Sequence, residues 1–148
     1  MDMSAQVTQA NIFLPVLVVV ALTAIAFFRM AVGRAQAAKV VNPDYYKTYQ
    51  GISVEPDFAI IGVRHYGNLF EAPTVFYAGC ITAFVLNAVT PWMLVFAWAY
   101  VALRLVQSAI HLTSNNPMPR GLVFSLSWLF LIALWVKIGM AVCAAISA

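Results

Sequence analysis

The sequence predicts an all-α integral membrane protein, a single-domain four-helix bundle over 1–148, and three observations predict it. Of 148 residues 64% are apolar and only 9% charged, against about 45–50% and 25% in soluble domains. Eight basic and five acidic side chains are too few to keep the exterior of a soluble domain wet. The apolar residues also gather into four runs, divided by short stretches rich in Pro, Asn and charge.

The first run, 12–28, is apolar apart from Thr23. With its flanks, 11–30, it reaches the roughly 20 residues that cross a hydrocarbon core of ~30 Å. A cleaved signal peptide is the competing reading, because Ala35-Gln36-Ala37 has the small-residue pattern of a cleavage site. The tail before the run holds Asp2 and no Lys or Arg, and Arg29 and Arg34 stand before the supposed cut. A retained helix is therefore expected.

The second span is expected over 66–89, with Glu71 and Pro73 near its start and a turn at 87–91. The third covers 92–113. Ser114-Asn115-Asn116-Pro117-Met118-Pro119 ends it, since proline lacks the N–H donor and pushes its neighbour out of the α region. The fourth covers 121–146. Between the first two spans, 31–63 forms the one sizeable loop, in which Asn42-Pro43-Asp44 and Glu55-Pro56-Asp57 read as helix starts.

Arg29, Arg34, Lys39, Lys47 and Arg64 lie in or beside that loop, and Arg120 lies between the third and fourth spans. The N-terminal tail, the 87–91 turn and the end after Met140 carry no Lys or Arg. The positive-inside rule then makes both basic loops cytoplasmic and puts both termini on the opposite side. Short polar tails without a basic C-terminal stretch point to a bacterial inner membrane.

Several function classes are excluded. The net charge of +3 comes from basic residues scattered between apolar runs, which is no footprint for nucleic acid. Cys80 and Cys143 sit inside apolar runs and read as membrane-buried free thiols rather than a disulfide framework. No metal-ligand spacing, Gly-rich phosphate loop or Ser/His/Asp set is present, so no metal is expected.

Polar side chains inside spans carry the functional signal, because lipid penalises them unless they face the bundle interior or a wet cavity. Arg64, Asn68 and Glu71 recur at i, i+4 and i+7 on the second span. Tyr100, Arg104, Gln107 and His111 form a second stripe on the third. One reading is structural: Glu71 neutralises an arginine, and the rest are interhelical hydrogen bonds. The other starts from the surplus of Arg34, Arg64, Arg104 and Arg120 over Glu71, which asks for an anion. Arginine takes carboxylates bidentately, while Glu71 suits an ammonium group. Glutathione fits that set, and an arginine beside its thiol stabilises the thiolate. Phospholipid head groups fit the same charges less specifically.

Other positions read more plainly. His111 is either a hydrogen-bonded helix-end histidine or a ligand contact. His65 and Tyr66 read as interfacial anchors, and Lys137, roughly 25 Å along a helix from Arg120, as a snorkelling side chain. Trp92, Trp98, Trp128 and Trp135 read as packing or interface aromatics.

The run Arg64-His65-Tyr66-Gly67-Asn68-Leu69-Phe70-Glu71-Ala72-Pro73, with Phe76, resembles a known second-span pattern, R-x-x-x-N-x-x-E followed by a proline and an aromatic. It belongs to the membrane-associated proteins in eicosanoid and glutathione metabolism, the MAPEG family. Tyr100-Val101-Ala102-Leu103-Arg104, His111 and Pro119-Arg120-Gly121 resemble the same family's third span and following loop. The resemblance implies a homotrimer of four-helix subunits, with glutathione as co-substrate between subunits and a small lipophilic substrate arriving from membrane lipid. It implies glutathione-binding positions at Arg34, Arg64, Asn68 and Glu71, further lining by Arg104, Gln107 and His111, and thiol activation by Arg120. Gly67, Gln107, His111 and Gly121 differ from residues common in the family. The activity implied is that of a microsomal-type glutathione transferase or peroxidase. The alternative is a non-catalytic member that binds lipid or a partner membrane protein. A small transporter is disfavoured, because no inverted repeat is present.

Overall fold

A computed structural model describes residues 8–42 and 55–147. Pro43 and Asp44 of the first expected helix start, with Lys47 and Asp2, lie outside the described residues. A 3₁₀ turn, Gln9–Ile12, leads into α1 (Phe13–Ala37). Then come α2 (Asp57–Asn68), α3 (Ala72–Val85), α4 (Pro91–Leu112) and α5 (Pro117–Ile146). The chain is all-helical, as its hydropathy predicts.

Local chemistry sets the helix ends. Pro56 is extended and Asp57 occupies the first turn of α2, where a carboxylate favours the helix dipole. Asn87 and Asn115 take the left-handed conformation (φ 51° and 48°) that closes a helix. Their turns return Ala88 N–H to the Ala83 oxygen at 3.0 Å and Asn115 N–H to the Ile110 oxygen at 2.8 Å. The next helices start from capping side chains with proline at the first helical position. Thr90 accepts from Met93 N–H at 3.3 Å and Asn116 from Met118 N–H at 3.1 Å.

The second span is not one helix. Pro73 has no N–H for the Leu69 carbonyl, so the helical ladder cannot pass. The chain instead tightens through bonds from Leu69 N–H to the Tyr66 oxygen and Phe70 N–H to the Gly67 oxygen, then restarts at Ala72. The 14 residues of α3 rise about 21 Å, short of a membrane crossing. Among the described residues, three segments are long and apolar enough to cross by themselves: Gln9–Ala37, Pro91–Leu112 and Pro117–Ile146. The expected loop also shrinks, because α1 continues to Ala37 and α2 begins at Asp57. α5 starts at Pro117, ahead of the expected 121, which puts Arg120 in its first turn.

The core runs along the bundle axis, where Phe76 stacks on Tyr100 (centroids 4.6 Å) and Val19, Met93, Leu131 and Leu134 are buried around them. The outer faces carry exposed Leu, Ile, Phe and Val, including Phe28, Leu122 and Leu129, as lipid requires. Trp135 donates from its indole N–H to the Val75 oxygen at 3.2 Å, tying α5 to α3. Trp92 and Trp98 lie on the outside. Cys80 is buried in the bundle, and Cys143 faces outward on α5, within a candidate membrane span. At Gly62 the α1 backbone approaches so closely that a Cβ would stand 3.3 Å from the Met30 Cα. Small residues permit such contacts between membrane helices.

Candidate functional site

The break after Asn68 shapes the site. In an unbroken helix the Asn68 carbonyl would receive the Ala72 N–H; here it is freed, and the Arg104 guanidinium donates to it at 2.8 Å. Arg104 is fully buried on α4, with its guanidinium over the Phe124 ring, 5.4 Å from the centroid. Its Nε and Nη1 have no partner among the described residues.

Two adjoining cavities open next to this contact. One, of about 280 Å³, is lined by Asn68, Glu71, Gln107, Arg120, Gly121 and Phe124. The other, of about 270 Å³, is lined by Asp57, Ile60, Ile61, Arg64, His111, Asn115 and Arg120. Arg120 belongs to both. The Asn115 side-chain oxygen accepts a hydrogen bond from its guanidinium. Its position in the first turn of α5 adds the positive end of that helix to the same place.

The third-span stripe folds as one buried face: Tyr100, Arg104, Gln107 and His111 are at most 4% exposed. The second-span stripe divides between Arg64 and Asn68, which share α2, one turn before the break. Arg64 faces the cavity of His111, whereas Asn68 and Glu71 face that of Gln107. Glu71 is exposed and makes no ion pair among the described residues, so it does not neutralise an arginine by contact.

Arg104 lines neither of these two cavities; it donates to the Asn68 carbonyl and sits over Phe124, and Asn68 and Phe124 both line one. Arg34 lines neither cavity of its own chain and pairs with Glu55, at 3.7 Å. His65, expected as an interfacial anchor, is 2% exposed and lies edge-on to His111, ring centroids 5.2 Å apart. Sequence reasoning missed Asn115, Phe124 and the burial of His65. A signal for His65 was present: Ala59, Gly62, His65 and Leu69 form one buried face of the broken span.

Long apolar helices, with two arginine-lined polar cavities beside the break in the second span, define an all-helical membrane protein. The MAPEG family model matches residues 12–140, and the chain belongs to the MAPEG family. A search of curated proteins and a search of solved structures each found no match.

Proposed function

We propose that the protein is a membrane-embedded glutathione-dependent transferase or peroxidase acting on lipophilic electrophiles. The observation that carries this reading is the sharing of Arg120, tethered by Asn115, between two polar cavities with complementary contents. Together they reach the range of small-molecule sites, about 300–1,000 Å³. Arg64 and Arg120 suit the tripeptide's carboxylates, Glu71 its ammonium group, and Asn68 and Gln107 its amides. Arg120 is the catalytic residue: beside the thiol it favours the thiolate, and exclusion of water strengthens that attraction. The thiolate sulfur then forms a bond to the electrophilic carbon, whose leaving group departs with its electron pair. The substrate would reach it from the lipid, already concentrated.

A homotrimer, as the family resemblance implies, is part of the proposal, and Arg34, which lines neither cavity of its own chain, enters it from a neighbouring copy. Basic loops in the cytoplasm and termini on the far side complete it. The experiment is a conjugation assay on purified protein with a model electrophile and glutathione, alongside Arg120→Ala. The variant is expected to assemble normally and lose about 100-fold in kcat/KM, the scale of one charge-stabilising donor. Equal activity in both proteins, or no heat of glutathione binding to either, would favour a non-catalytic lipid- or protein-binding member.

A further inference from the structure

Formation of a thiolate leaves a proton that must go somewhere. Guanidinium groups bring charge to the site but no lone pair to receive it. In the cavity of Arg64 and Arg120 the remaining polar groups are Asp57, Asn115 and His111. Asp57 is exposed in the first turn of α2, and the Asn115 oxygen is occupied by Arg120. His111 is the buried titratable acceptor.

Its surroundings are unusual for a structural histidine. His111 is 2% exposed, yet its Nδ1 has no hydrogen-bond partner among the described residues. The ring beside it, His65, is equally buried, and its Nε2 is likewise unpartnered. Buried polar atoms in folded proteins are almost always satisfied, by protein or by ordered water. An orphaned imidazole nitrogen on His111, which lines the polar cavity, with a second on the His65 ring beside it, therefore marks a place for an exchangeable proton. The charged groups around the pair are guanidiniums, Arg120 and Arg64 beside His111 and Arg104 and Arg29 beside His65, so a proton on the His111 ring depends on the negative charge that the thiolate brings.

Resting on the glutathione reading above, we infer that His111, backed by His65, receives the thiol proton when Arg120 draws the glutathione sulfur into its thiolate form. The S–H bond breaks, its electron pair stays on sulfur, and the proton passes to an imidazole nitrogen of His111. After the sulfur bonds to the electrophilic carbon, the proton is returned to the departing anion or, in an addition, to the carbanion carbon. Glu71, in the other cavity, is left to hold the ammonium group.

The test counts protons. Glutathione is titrated into the purified full-length protein at neutral pH in buffers of different ionisation enthalpy. Calorimetry then gives protons released, and ultraviolet absorbance gives thiolate formed. The wild type is expected to release almost none per thiolate, and His111→Gln to release about one, because the proton now leaves to solvent. His65→Gln, an independent variant should the first fail to fold, is expected to move the ratio in the same direction. S-methylglutathione, which has no thiol proton, is expected to abolish the difference. An equal ratio in wild type and both variants, with glutathione still bound, overturns the relay and leaves the glutathione reading standing. A difference that persists with S-methylglutathione also overturns it. Absence of glutathione binding to the wild type overturns both.

Discussion

The Arg104 guanidinium donates to the main-chain oxygen of Asn68 at 2.8 Å, joining the middle of α4 to the last residue of α2. That oxygen is available because Pro73 interrupts the second span. In a membrane a freed carbonyl has no water to turn to, so a neighbouring side chain must satisfy it. The family-like sequence around Asn68 and the buried arginine 36 positions later are thus two halves of one device.

Arg104→Met keeps much of the side-chain volume and removes the donor. It is expected to lower stability by about 1.5–3 kcal/mol, the worth of a hydrogen bond to a charged group. Denaturation in mixed micelles measures it. Unchanged stability would mean that the Asn68 carbonyl finds another partner.

Asn115→Gly separates the two roles of that residue. Glycine accepts the left-handed backbone at φ 48°, so stability should change by only a few tenths of a kcal/mol. The tether of Arg120 is lost, and glutathione affinity is expected to fall about tenfold, the cost of one net hydrogen bond. Calorimetry decides; full affinity in the glycine variant would show that Arg120 needs no anchor.

Glu71→Gln should weaken glutathione binding by about 1 kcal/mol or more through loss of a charge-assisted contact. N-acetylated glutathione, which has no ammonium group, should bind wild type and variant alike. If acetylation and the substitution weaken binding additively, Glu71 does not meet the amine.

Two glycines of α2 should respond with opposite signs. Gly62→Val forces a side chain against the α1 backbone near Met30 and is expected to destabilise by about 1–3 kcal/mol. Gly67 has nothing within 4 Å of a Cβ, so Gly67→Ala should stabilise by about 0.5–1 kcal/mol. Paired melting curves test both.

The sequence by itself determined the all-helical membrane architecture and where its chain reverses. Apolar runs, Asn at the left-handed positions and Pro-led helix starts are local properties, decided by residues within a turn or two of one another. It also made the face of Tyr100, Arg104, Gln107 and His111 legible, because that stripe lies on one unbroken helix. Only the tertiary structure decided that Arg64 parts from Asn68 and Glu71: Arg64 and Asn68 stand one turn apart on α2, and the packing of α4 and the start of α5 sets them against different cavities. It alone turned His65 inward against His111 and set Arg104 against the Asn68 carbonyl and the Phe124 ring. Those outcomes depend on which face of α2 packs against α1 and α4. That choice is made by contacts between residues far apart in the chain, with close passage allowed at Gly62.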